Sequence, residues 1–212
     1  MLEVQPSLFG SVDPDGHGVR GPASLTEVHR LELTHGAWVD LRPGWLDGTD
    51  RLFERLLKRV PWRAERRVMY DHELDVPRLA CFYREGVKLP DPVLTAAREQ
   101  LGDYYEDELG ERFVTAGMCL YRDREDSVAW HGDRIGRGGT HDTMVAIVSL
   151  GAPRTLLLRP SGGGASTRFA LGHGDLLVMG GSCQRTWEHS VPKTSQRCGP
   201  RMSVQFRARG VV

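Results

Sequence analysis

A chain of 212 residues and 23.7 kDa is long enough to bury a core without disulfide staples and is read as one domain. Its 28 Lys plus Arg balance 28 Asp plus Glu, so no overall positive field draws it to nucleic acid, although a local basic patch stays open. No apolar run reaches the roughly 18 residues of a membrane span, the start lacks a secretory leader, and Cys81, Cys119, Cys183 and Cys198 form no CxxC pair. A cytoplasmic protein with reduced thiols and no membrane contact is therefore expected, as a monomer.

Residues 1–24, rich in Gly, Pro and Asp, read as a flexible arm, with a single domain over 25–212. A short strand and turn are expected over Thr34–Gly44. Leu52, Phe53, Leu56 and Leu57 repeat at helical spacing within Asp50–Arg59. Asp91-Pro92 opens a second helix, with Asp as cap and Pro in the first turn, that ends before Gly110. From Phe113 the texture changes to short strands between Gly-rich turns: Phe113–Tyr121, Met144–Leu150, Thr155–Arg159, Thr167–Leu171, Asp175–Met179 and Arg201–Arg207. This predicts a mainly β (α+β) chain, with helices over 25–112 packed outside a jelly-roll core over 113–212.

Within that core lies Trp130-His131-Gly132-Asp133. On an extended strand His131 and Asp133 point to one face and can grip one ion. His189 arrives much later, in Trp187-Glu188-His189-Ser190. Two His and one carboxylate with open positions opposite are the pattern of non-haem Fe(II) oxygenases. Alone, a His-x-Asp triplet recurs by chance, and a lone His is more often an ordinary core or surface residue. Trp130 and Trp187 are expected to wall the site against water. His141 and His173 are assigned to a loop and a turn. Arg201 and Arg207, an even number of residues apart, share one strand face that could receive a dicarboxylate; the plain alternative is a solvated face alternating with Met202, Val204 and Phe206.

An ordered series of segments resembles the AlkB family of Fe(II)- and 2-oxoglutarate-dependent dioxygenases. It runs through Pro77-Arg78-Leu79-Ala80-Cys81-Phe82-Tyr83, Leu120-Tyr121-Arg122, Asp126–Asp133, Ser149–Arg154, Gly174–Met179, His189-Ser190-Val191-Pro192 and Arg201–Arg207. The resemblance implies a double-stranded β-helix (jelly roll), with His131, Asp133 and His189 as catalytic iron ligands. It implies that Tyr121, Arg201 and Arg207 bind 2-oxoglutarate, a bidentate fork suiting its distal carboxylate. It further implies O2 as co-reactant and removal of N-methyl groups from alkylated nucleic acid bases, DNA or RNA, releasing formaldehyde, succinate and CO2.

The family's nucleotide-recognition lid would fall within 25–112, making Tyr70, Phe82 and Tyr83 candidates for substrate contact, with Arg134 beside the site. Lys58, Arg59, Arg63, Arg66 and Arg67 around Trp62, or Arg134 with Arg137, are candidates for phosphates; a solvated helix face is the plainer reading of the first group. Methylated, single-stranded nucleic acid is the expected partner. Three positions depart from the family's pattern: Cys119 and Ser203 where Asn is frequent, and Ile135 where an acid is common. They leave open a same-fold oxygenase acting on a protein, lipid or small molecule. A binding module without catalysis would need neither the ligands nor the arginines.

Overall fold

The computed structural model describes residues 21–69 and 72–211. Its strands, in chain order, are β1 (His29–Glu32), β2 (Ala37–Arg42), β3 (Arg63–Met69), β4 (His72–Tyr83), β5 (Thr115–Tyr121), β6 (Val128–His131), β7 (Val145–Gly151), β8 (Arg154–Pro160), β9 (Thr167–Leu171), β10 (Leu176–Gly181), β11 (Trp187–Val191) and β12 (Arg201–Arg207). Three α-helices join them: α1 (Thr49–Arg59), α2 (Pro92–Leu109) and the short α3 (Cys183–Thr186). The strands form an eight-stranded sheet, ordered β1-β2-β10-β7-β12-β5-β4-β3, and a four-stranded sheet, ordered β6-β11-β8-β9. All pairings are antiparallel. This is the jelly roll expected from the spacing of short strands and Gly-rich turns.

Period-two alternation gives the large sheet two buried faces. Met118, Leu120, Val148, Leu150, Val178, Met202, Val204 and Phe206 point outward, where Leu52 and Leu56 of α1 and Leu94, Ala97, Leu101 and Tyr105 of α2 cover them. Tyr121, Val145, Ile147, Leu177 and Met179 point inward and meet Leu156, Leu158, Phe169, Trp187 and Val191 of the small sheet. Each such side chain, fully buried, is worth about 1.5–3 kcal/mol of transfer free energy.

α2 begins and ends where its sequence dictates. The Asp91 side chain accepts the Val93 N–H at 3.1 Å, and Gly110 closes the helix in the left-handed region (φ 72°) by donating to Glu106 O. One polar group breaks the apolar outer face. Asp40 of β2 is buried there, held by Arg30 at 2.7 and 2.8 Å and by the Tyr105 hydroxyl at 2.8 Å. That cluster ties α2 to the first hairpin.

Several elements depart from the sequence expectations. The arm's last residues are anchored, since Ala23 N donates to Trp45 O at 2.7 Å and Ala23 O accepts from Trp45 Nε1 and Gln100 Nε2. The basic run 58–67 is not one helix face but the end of α1 followed by β3. Of it, Arg59 lies 3.7 Å from the buried Asp91. Among the described residues no helix is long and apolar enough to cross a membrane.

Candidate metal centre

β6 and β11 lie side by side at the edge of the small sheet, with His131 directly opposite His189. Side chains opposite one another on an antiparallel pair share a face. Their rings stand 4.2 Å apart, centroid to centroid. Asp133 follows two residues past His131, beyond the end of β6, so one potential ligand atom from each of the three lies within 4.8 Å of the others. The sequence-predicted trio is therefore brought together.

The electrostatics suit a cation. Burial pushes the His189 imidazole down to about 3, with help from His131, and lowers His131 as well. Both rings are thus neutral at ordinary pH, as a metal ligand must be. The His131 Nδ1 lies 2.8 Å from Ala129 O, and a carbonyl can only accept, so Nδ1 carries the proton and Nε2 is left to bind. Burial alone would raise the Asp133 carboxyl, but Arg207, then His189, hold it at about 2. Arg207 Nε donates to Asp133 Oδ2 at 2.7 Å, so one carboxylate oxygen is engaged by the guanidinium.

Arg207 closes a row that runs back along β12 through Gln205 and Ser203 to Arg201, all on the inner face and all lining one cavity of about 50 Å³. Arg78 of β4, Cys119 and Tyr121 of β5, Val145 and Ile147 of β7, and Val128, His131, Leu156, His189 and Val191 of the small sheet complete its wall. Arg201 is only 1% exposed. Its Nε donates to Ser149 Oγ at 3.1 Å, its guanidinium lies 5.2 Å from the Tyr121 ring centre, and its Nη1 is buried without a hydrogen-bond partner among the described residues. Burial lowers Arg201 and raises Tyr121 to about 12. A buried cation with an unused donor is costly, and an incoming carboxylate would offset that cost. The solvated-face alternative for this row does not hold.

Two glycines make room for the machinery. A Cβ on Gly117, opposite Gln205 in β5, would stand 2.7 Å from Arg207 Nη1. One on Gly132, between two of the trio, would stand 2.7 Å from Gln184 O.

The candidate substrate residues fare unequally. Phe82 of β4 pairs with Gly117, so it stands on the cavity face, 45% exposed. Tyr83 is the next residue of the same strand and points to the other face, packing beneath the helices; burial raises it to about 12. It does not stand on the cavity face. Tyr70 lies outside the described residues. Arg134 is engaged with Ser161 Oγ, Gln184 O and Glu188, and Arg137 with Glu111, so neither presents the free cation that the sequence suggested. Trp130 alternates away from His131 to the outer surface of the small sheet, under the Arg159 guanidinium at 4.1 Å, and walls nothing. Trp187 does line the interior.

His141 is exposed and its Nδ1 lies 2.8 Å from Thr140 Oγ1; His173 occupies a turn and accepts the Gly151 N–H at 2.6 Å. Of the departures from the family pattern, Ser203 and Cys119 are cross-strand neighbours in the cavity wall, and Ile135 is 69% exposed in the loop after Asp133.

Sequence reasoning missed Ser149, Gln184, Gln205 and Arg78. Gln205 and Ser203 were recoverable from the same alternation that links Arg201 to Arg207. Ser149 and Arg78 depend on strand register, and no local signal marked Gln184.

Residues 43–207 match the family model described as "2OG-Fe(II) oxygenase superfamily". Human alpha-ketoglutarate-dependent dioxygenase alkB homolog 3 is 32% identical over 84% of this chain and 68% of its own length. The DNA oxidative demethylase ALKBH2 of Arabidopsis thaliana is 28% identical over 89% of this chain and 72% of its own. Among solved structures, an oxidoreductase of the 2OG-Fe(II) oxygenase family from Burkholderia pseudomallei superposes with a TM-score of 0.56 at 16% identity, over 82% of this chain and 86% of that one. OsALKBH1 gives the same score at 15% identity, over 80% and 97%.

Proposed function

This chain belongs to the 2OG-Fe(II) oxygenase superfamily and, within it, to the AlkB family, and from that premise we propose that it is an oxidative demethylase of alkylated nucleic acid bases. It is a 2-oxoglutarate-dependent dioxygenase, using Fe(II), 2-oxoglutarate and O2. His131, Asp133 and His189 hold the iron, and Arg201 with Tyr121 receives the distal carboxylate of 2-oxoglutarate. The observation that carries this reading is the cavity itself, with the buried, incompletely bonded Arg201 on the same strand face as the arginine that fixes Asp133.

When bound, iron and cosubstrate supply oxidation of a C–H bond of an N-methyl group, coupled to decarboxylation of 2-oxoglutarate to succinate and CO2. The hydroxymethylated base then loses formaldehyde. The chain's own contribution is positional. Arg207 bonds one oxygen of Asp133, would leave the other for the ion, and keeps the carboxylate charged. The neutral imidazoles present Nε2 of His131 and a ring nitrogen of His189. Val128, Leu156 and Val191 give the cavity an apolar side, whose low polarity strengthens the charges that face it.

On the substrate side, the exposed ring of Phe82 on the cavity face offers a surface on which a base can stack. A base in a duplex cannot reach the cavity without leaving its stack, so a methylated single strand is the better substrate.

The test is an assay of the purified chain with Fe(II), 2-oxoglutarate and single-stranded oligonucleotides carrying N-methylated bases, following formaldehyde and succinate together. Equal amounts of both are expected. Succinate without formaldehyde moves the substrate to a protein, lipid or small molecule, and neither product removes the enzyme reading altogether.

A further inference from the structure

We propose that Gln184 is a positioning residue for the iron-binding carboxylate, holding the backbone of Asp133 in the place that strand pairing has left. The proposal rests on the metal-centre reading above. The small-sheet ladder stops at the His131–His189 pair, so Asp133, two residues on, has no cross-strand partner among the described residues to fix its peptide. Gln184 supplies one. It sits in α3, almost fully buried, and its side-chain Oε1 accepts the Asp133 N–H at 3.0 Å. An amide N–H requires an acceptor, so the carboxamide has one orientation, with Nε2 turned toward the weak acceptor Met179 Sδ at 4.0 Å.

The backbone of the same residue completes the cradle. Gln184 O accepts from Arg134 Nε at 3.4 Å and lies so close to Gly132 that no side chain fits between them. Arg134 N in turn donates to Gly132 O at 2.8 Å, tightening the turn that carries Asp133. Two separate restraints therefore act on one ligand. Arg207 sets the carboxylate rotation, and Gln184 sets the main chain from which it projects. Because α3 leads directly into β11, the same short helix couples the position of Asp133 to that of His189.

The full chain, stripped of metal, is titrated with Co(II), and both affinity and visible absorption are read. The absorption reports coordination geometry, which a merely structural role would leave alone. Gln184→Met keeps the bulk and removes the acceptor; it is expected to weaken Co(II) binding roughly 10- to 100-fold, the usual consequence of losing a group that orients a metal ligand, and to alter the absorption. Gln184→Glu keeps an acceptor in place and is expected to retain the wild-type spectrum. Should Gln184→Met fail to fold, Gln184→Asn gives the same test, since its shortened amide falls short of the Asp133 N–H. Wild-type affinity and spectrum in Gln184→Met, or equal losses in Met and Glu variants, overturn the proposal. If the unaltered chain binds Co(II) no better than His131→Ala, the metal-centre reading has failed, and that result appears before any change at Gln184.

Discussion

Strand β12 has two faces, and both are buried. Met202, Val204 and Phe206 have no exposure at all and meet the helices; Arg201, Ser203 and Gln205, alternating with them, are almost as inaccessible and meet the cavity. The first face is complete without any ligand, because apolar atoms need only neighbours. The second is not, because a buried guanidinium needs partners for its donors, and Arg201 has an Nη1 without one among the described residues. Burial alone thus does not separate scaffold from site. The separation lies in whether the buried groups are satisfied by the protein itself.

The comparison can be broken most forcefully at the metal trio. His131→Ala or Asp133→Ala is expected to reduce 2-oxoglutarate-dependent succinate formation to background while far-ultraviolet circular dichroism stays as in the parent chain. Succinate at the parental rate in either variant would end the assignment. On the apolar face, Phe206→Ala is expected to cost roughly 3–5 kcal/mol in urea unfolding, the usual range for emptying a buried aromatic site, without a matching change in KM for 2-oxoglutarate.

Arg201→Met should do the reverse. Removal of a charge-assisted contact is expected to raise KM for 2-oxoglutarate roughly 10- to 100-fold. Stability should hold or improve, since an apolar side chain of similar length replaces a buried ion. A lowered melting temperature with unchanged KM would reverse the roles given to the two faces.

The smallest effect is expected at the seam between them. His173 accepts the N–H of Gly151, the residue opposite Arg201, and does so only when unprotonated. Burial lowers its pKa in the folded chain. As pH falls below about 6.5 the unfolded chain takes up this proton first. The contribution is therefore complete above that pH and is lost on acidification. Urea midpoints at pH 7.5 and 5.5 should differ less in His173→Gln than in the parent chain; an equal difference would mean that His173 carries none of it.

How much of this was legible in the sequence varies with the range of the signal. α2 was readable because Asp91, Pro92 and Gly110 are local chemistry at its ends. β7, β9, β10 and β12 were readable from compact apolar or alternating runs bounded by glycine. The strands that carry the histidines are not legible as strands from composition: Val128–His131 and Trp187–Val191 are too short and mixed to show a period. They were reached only through the chemistry of the ligands they bear. The β3–β4 hairpin was obscured because Arg63-Ala64-Glu65-Arg66-Arg67 resembles a charged helix face as readily as an edge strand.

At the site, alternation correctly grouped Arg201 with Arg207. Applied to Phe82 and Tyr83 it would have separated two aromatics that were named together, since neighbours on a strand cannot face the same way. Arg134 illustrates a different limit. Its charge was visible, but its engagement by Ser161 and Glu188 depends on a turn and a strand that only the fold brings near.

The direct opposition of His131 and His189 has a consequence for how such a protein can change. Their separation is set by the gap between adjacent strands, a constant of β structure, and not by the length of chain that connects them. The Gly162–Gly164 turn, where added Cβ atoms would meet only open space, can therefore gain or lose residues while the grip on the ion stays the same. Chain length there is free to vary without any need to reinvent the chemistry.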